Sequence, residues 1–467
     1  MLQRILIALL LSAGPAFAQP VAAPDCTVDG TLSDANGLKL EVTYRCRATS
    51  PISFQPAEDR TGAYISDLKV NQSSGVAEAH YRMDVAGFGR AVNSTSVAVA
   101  RGNGVMAVLG SWLLEPRGFD RTPVIHIRMT TGPGLSFATG LPKVGDAWRL
   151  AGTTVRFAGY SALGHFTYRE LAVPAPGSLR PGQPSAAGTL RVAILDGIDE
   201  PGRVEILDWV ARTAEVESNY WKGFTAKQGL VGLIPSAGRR GMGYGRAESG
   251  GGVTVMVEVG TDVDRRRLFD GWVLVHELIH TAMPYLRPRG TWFMEGAATY
   301  VEPIIRARAG WKTEEEVWRE WVENMPRGVQ AFSTGLANAA GQQNYWAGAI
   351  FMLLADLAIR RESNGSKGLD DCLGGVLWSG VDGTQRMSVP DYGAACSRAT
   401  GTKAMSTLID RHFTRGEPLD LDALWKELGI SLVAGRIVLD DNAPSAQWRK
   451  MIVLGSHPAK RPLPWQS

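Results

Sequence analysis

The chain has 467 residues, 45% of them apolar and 20% charged, a length beyond what one hydrophobic core usually fills, so two domains are the expectation. Forty-nine Lys and Arg against 46 Asp and Glu leave a formal net charge of +3, too little for the basic stripe that counterion release on nucleic acid requires; no nucleic-acid partner is expected. The 54 Gly and 25 Pro are scattered without a three-residue period among plentiful aromatics, which excludes collagen and a disordered chain.

Residues 1–18 read as a secretory signal: Arg4 supplies a positive charge, an apolar run follows, and Ala16-Phe17-Ala18 is a small-x-small cleavage site. The run is too short to cross a bilayer, and no later window offers about twenty apolar residues without charge, so an exported protein, periplasmic or secreted, with no membrane span is expected. From 19 to 188, short alternating or β-branched runs such as 38–44 and 95–100 are separated by turn residues, predicting a β-sandwich-like domain. Residues 173–185 carry four prolines and read as an extended linker. Beyond them the texture turns helical. A strand is predicted at 189–195, an amphipathic helix at 204–224, and strands at 229–235 and 253–259. Helices follow around 268–283, 292–307, 314–324, 345–361 and 419–428. The whole is an α+β fold, with a mostly helical domain carrying a small edge-strand sheet over 189–467. Gly241-Met242-Gly243-Tyr244-Gly245 lacks dinucleotide-binding spacing and reads as a mobile loop beside a cleft.

The four cysteines fall as two local pairs, Cys26 with Cys46 and Cys372 with Cys396. Lying in different domains, they are expected to bridge locally, each closing a loop of about twenty residues and stabilising by roughly 3 kcal/mol, which suits export. No two are spaced as a zinc-binding pair.

The sharpest chemical signal is His276-Glu277-Leu278-Ile279-His280, within an apolar segment suited to a buried helix. Histidines four apart share one helix face and can bind a single zinc ion, while Glu277 reaches a water activated by that metal and serves as general base. A third protein ligand leaves the fourth position open. Glu295 is the expected one, because it sits on the following apolar helix, where an unpaired carboxylate is costly; the alternative is a helix-start carboxylate complementing the dipole. Glu302 lies two turns further along, and Thr299 or Glu302 is expected to orient an imidazole from behind. The remaining histidines, His80, His126, His165, His412 and His457, are isolated and read as structural.

Trp292-x-x-Glu295-Gly296-x-x-x-Tyr300 after His-Glu-x-x-His resembles the gluzincin metallopeptidases. Asn344-Tyr345-Trp346-Ala347-Gly348-Ala349, then Leu353 to Arg361, then Gly368-Leu369-Asp370-Asp371, is similar to the glycyl-aminopeptidase-like family within them. The resemblance covers 189–378 well and the N-terminal region only in outline. It implies a thermolysin-like catalytic domain behind a β domain, with Tyr345 donating to the oxyanion of a tetrahedral intermediate; packing at the helix start is the other role open to that residue. It also implies a substrate-binding strand beside the cleft at Gly251, Gly252, Val253 and Thr254. Thr254 stands there where the family carries a Glu that holds the substrate's α-amine; Glu248 and Glu258 are nearby carboxylates. The segment after Cys396 is short and helical at 420–428, unlike the PDZ domain that family members often carry. The expected function is that of an exported zinc peptidase acting on peptides or proteins, with an aminopeptidase as one form. The alternative is a catalytically inactive zinc-containing module that binds peptides.

Overall fold

The computed structural model describes residues 23–35, 37–47, 49–173 and 187–455; the expected signal segment, nearly all of the linker and His457 lie outside the described residues. In the N-terminal region β1 (Cys26–Ser33) and β2 (Lys39–Arg47) pair antiparallel at the centre of a seven-stranded sheet, with Cys26 opposite Cys46 and disulfide-bonded to it. Strict alternation on β2 buries Leu40, Val42, Tyr44 and Cys46 while the intervening residues face outward, the period-2 signature of a sheet with one wet face. A four-stranded sheet containing β3 (Gly104–Val108) and β4 (Tyr160–Gly164) packs on it, as the sandwich expectation requires.

This second sheet is buried on both faces. Val105, Ala107 and Leu163 face the seven-stranded sheet, whereas Met106, Tyr160 and Ala162 pack against Ala193, Leu195, Leu230, Ile234 and Met256 of the following region. There β5 (Thr167–Val173), β6 (Gly188–Ile194), β7 (Gln228–Ser236), β8 (Met242–Glu248) and β9 (Val253–Gly260) form one sheet, ordered β5-β6-β7-β9-β8. β5 precedes the proline-rich stretch yet pairs along its length with β6, so this sheet draws on both sides of position 188. Its far face carries the helices, and the fold is α+β: a sheet-rich N-terminal domain followed by a mostly helical one.

The helix expected at 204–224 runs as α1 (Glu200–Trp221), capped by the Asp199 carboxylate. The single helix expected over 268–283 is two, α2 (Arg265–Asp270) and α3 (Val273–Thr281). Gly271 is extended between them, and the tip of the Met242 side chain packs where a Cβ would otherwise lie. α4 (Thr291–Arg308), helix Glu314–Asn324 and α5 (Gln342–Glu362) follow as expected to within three residues at each end. α6 (Leu369–Trp378) and α7 (Val389–Thr400) are joined by the second disulfide, Cys372–Cys396.

α4 and α5 cross in backbone contact. A Cβ on Gly296 would lie 2.2 Å from Gly348 Cα, and one on Gly348 would lie 2.0 Å from the Trp292 carbonyl oxygen. Gly348→Ala gains about 1 kcal/mol of intrinsic helix propensity but forces two backbones apart, an overpacking cost of about 1–3 kcal/mol or more. We expect a lower urea midpoint with an unchanged m-value, measured by equilibrium unfolding.

Candidate active site

α3 is buried on nearly every side, as its apolar sequence demands: Val273, Leu274, Val275, Leu278 and Ile279 are all at most 5% exposed. His276 and His280 sit one turn apart with ring centroids separated by 5.0 Å, and both point toward α4. There Glu295 Oε2 lies 3.2 Å from His276 Nε2 and 3.6 Å from His280 Nε2. Two donors at roughly 2.0–2.2 Å from one tetrahedral ion are about 3.4 Å apart. The three donor atoms fall within 4.8 Å of one another, form the one metal-competent cluster among the described residues, and fit a zinc-type ion with a position left open. Burial works to raise the Glu295 pKa, but hydrogen bonds and charge from both imidazoles hold it far below the usual carboxylate range. Burial opposes a charge on His280 as well; contact with Glu295, with Glu277 adding, nevertheless raises its pKa.

Gly245 on β8 lets α3 approach. A Cβ there would meet Val273 Cγ1 at 2.4 Å and Glu277 Cγ at 2.9 Å, so glycine allows Glu277 to lie against the strand. His276, Glu277, His280, Glu295 and Tyr345 line one cleft of about 750 Å³. The Tyr345 ring stacks on His276 at 6.1 Å between centroids. Burial first, then the Glu295 and Glu277 carboxylates, push its phenol up to about 12, so it remains a protonated donor at neutral pH.

The strand expectation requires correction. β9, not an edge, lies between β7 and β8 and is buried along nearly its whole length. Gly251, Gly252, Val253 and Thr254 therefore do not line the cleft. On β9, Val253, Val255, Val257 and Val259 face the helices, and Thr254 faces the β domain. The Thr254 hydroxyl accepts from Tyr160 N at 3.1 Å and donates to Glu248 O at 2.8 Å, fastening the two regions together. The true edge is β8, the Gly-rich stretch expected to be a mobile loop, paired antiparallel with β9. It brings Tyr244, Arg246 and Glu248 to the cleft; Glu258 does not reach it.

Neither residue expected to orient an imidazole does so. Glu302 is buried and bonded to Arg306 at 2.9 Å one turn along its own helix, and the Thr299 hydroxyl has no hydrogen-bond partner among the described residues. Sequence reasoning also missed the β domain's contribution to the cleft, Thr153 and Phe157, because only tertiary packing brings them there. The large exposed aromatics among the described residues, Phe157, Tyr244, Trp272 and Tyr285, all line this cleft, offering apolar platforms for side chains of an extended ligand.

No protein-family description and no curated protein sequence matches the chain. Among solved structures, an aminopeptidase N family protein from Idiomarina loihiensis is similar at TM-score 0.60 and 16% identity, over 87% of this chain and 78% of that one. Legionella pneumophila aminopeptidase A, in complex with aspartic acid, is similar at TM-score 0.50 and 8% identity, over 85% of this chain and 50% of that one. Native yeast LTA4 hydrolase gives TM-score 0.47 and 13% identity, over 87% and 72%. At 16% identity the likeness to the Idiomarina protein establishes the fold alone, an architecture of the aminopeptidase N type.

Glu295→Ala removes one of three donors and is expected to weaken zinc binding by more than the roughly 10–100-fold that an outer partner is worth. Thr299→Val, whose hydroxyl touches no donor, is expected to keep it. Metal content after dialysis against a weak chelator separates the two.

Proposed function

We propose that the protein is an exported zinc-dependent metallopeptidase of aminopeptidase type, hydrolysing peptide bonds in the cleft between β8 and α4. The observation that carries this reading is the convergence of the His276 and His280 imidazoles with the Glu295 carboxylate beside Glu277 and Tyr345. Zinc held by those three donors supplies a Lewis acid that polarises the scissile carbonyl and acidifies a water. Glu277, adjacent to His276 and opening on the same cleft, takes the water's proton and delivers it to the departing amine. Tyr345, neutral at physiological pH, donates a hydrogen bond to the negative charge that develops on the carbonyl oxygen. β8, an edge strand, offers its free backbone groups to an extended peptide.

The aminopeptidase form draws support from Glu248, a carboxylate in the cleft that is neither a metal donor nor the base, which Arg246 Nε holds at 2.7 Å. It lies where the end of β8 passes beneath the β domain, with Gly159 N donating to Gly250 O at 3.4 Å. A free α-amine there gains an ion pair that a blocked terminus loses. Export is supported by the two disulfides and by the absence of any helix, among the described residues, long and apolar enough to cross a membrane.

Glu277→Gln is expected to abolish turnover while zinc content stays at the wild-type level, measured on a peptide library by mass spectrometry with parallel elemental analysis. Persistent cleavage by the zinc-loaded variant sinks the assignment of the base, and wild-type protein that binds peptides without cleaving them points to the inactive module. Tyr345→Phe is expected to lower kcat by about 10²–10³-fold with KM little changed. Matched peptides with free and acetylated N-termini decide the peptidase type. Chelator-sensitive cleavage confined to free termini supports the aminopeptidase, and equal cleavage of blocked peptides overturns it.

A further inference from the structure

We propose that Arg287 and Arg386 form a carboxylate-binding subsite in the cleft, so that the protein selects peptides presenting a carboxylate at that position. This rests on the peptidase reading above and names the substrate class of the same site. Three arginines line the cleft, Arg246, Arg287 and Arg386. Arg246 is committed to Glu248. Arg287 and Arg386 have no carboxylate within ion-pair distance among the described residues, although both stand on the wall of a cleft that Glu248, Glu277 and Glu295 also line.

Their placement is built into the backbone. The chain leaving α3 forms a two-residue strand, β10 (Tyr285–Leu286), which pairs in parallel with β11 (Arg386–Met387), setting Tyr285 beside Arg386. Tyr285 N donates to Gln385 O at 2.8 Å and Arg287 N to Met387 O at 2.9 Å. The Arg287 guanidinium folds back over the Tyr285 ring, 4.6 Å from its centroid, and donates to the Tyr285 hydroxyl at 2.5 Å. Both cations thus belong to one rim, one of them held by stacking and a hydrogen bond rather than left to wander.

The loop before β11 is equally fixed. Thr384 donates from N and from its hydroxyl to Asp382 Oδ1, which sets the turn of that loop. Gly383 N donates to Thr281 O at 3.0 Å, tying the loop to the end of the helix that carries both histidines. A guanidinium fork matches a carboxylate's two oxygens, and a pre-positioned fork loses less side-chain entropy on binding. Two forks with no carboxylate partner among the described residues, on the wall of the cleft, therefore favour a ligand carboxylate. An Asp or Glu side chain and the C-terminal carboxylate of a short peptide share that chemistry.

The test is steady-state cleavage of two matched sets: peptides with Glu or Gln at each position flanking the scissile bond, and short peptides with a free or amidated C-terminus. We expect wild-type kcat/KM to favour the carboxylate member of at least one set by about tenfold or more, with the preference shrinking as salt rises. Arg386→Gln and Arg287→Gln are each expected to raise KM for the favoured peptides with kcat little changed and to leave the neutral peptides as they were. The set that responds identifies the source of the carboxylate. Equal treatment of both members of both sets by the wild type overturns the subsite, as do variants that slow neutral and acidic peptides alike. Binding of the same peptides to zinc-loaded Glu277→Gln gives a readout free of turnover. A carboxylate preference in binding with no wild-type cleavage upholds the subsite and sinks the peptidase reading; cleavage with no preference in either assay does the reverse.

Discussion

The contact of α4 with α5 at Gly296 and Gly348 is the constraint on which the site depends. Helix axes usually stand 8–10 Å apart because side chains fill the space between them. Here each helix offers hydrogen where the other's backbone passes, and any Cβ would strike a main-chain atom. Glu295 immediately precedes one of these glycines and Tyr345 lies one turn before the other, so the distance between carboxylate and phenol is fixed by the helix crossing. Further along, the same two helices are pinned again. Tyr300 donates to Asp356 Oδ2 at 3.0 Å, while Asp356 Oδ1 accepts from Leu369 N at 2.9 Å and lies 2.8 Å from Arg360 Nε. These charged groups are buried, and their mutual pairing removes most of the penalty that burial would otherwise impose.

A similar close approach seats the histidine helix. Gly245 lets Glu277 lie against the edge strand, and the other face of the same sheet is held by the β domain through Met106 against Gly232 and through the Thr254 hydroxyl. The cleft consequently has walls from four sources: the edge strand, the helices, the rim formed by β10, β11 and the loop before β11, and Thr153 and Phe157 of the β domain. Thr254, expected at the substrate strand where the resemblance places a Glu, faces the neighbouring domain and not the cleft.

What could be read from the sequence follows from how local each signal is. The histidine pair was legible because a spacing of four puts two side chains on one helix face whatever lies around it. Glu295 was legible as the carboxylate in the apolar first turns of the following helix, and the cysteine pairs because each is close in sequence. The edge of the sheet was not legible. Residues 253–259 look like a strand because they are apolar and β-branched apart from Glu258, and they are so because nearly all of them are buried, on both faces, which is the mark of an interior strand. The actual edge, 242–248, is half-exposed and glycine-rich, so it lacks a hydrophobic pattern; its neighbour in space is fixed by strand order, which sequence does not carry.

Glu302 shows how a residue expected at the site can serve it from a distance. Its carboxylate accepts from Arg306 Nη1, and Arg306 Nη2 in turn donates to Asp270 O at 2.9 Å and Phe269 O at 3.3 Å. Those carbonyls end α2, directly before the Gly271 break and the first turn of α3. A buried arginine spanning a helix end both satisfies carbonyls that lack intrahelical partners and needs a counter-charge of its own. Glu302 supplies that charge. The chain of contacts therefore runs from α4 through an ion pair to the end of α2, one residue before the break that leads into the histidine helix. The same α4 presents Glu295 to both imidazoles, so this helix fixes the start of the histidine helix as well as the carboxylate that meets its side chains.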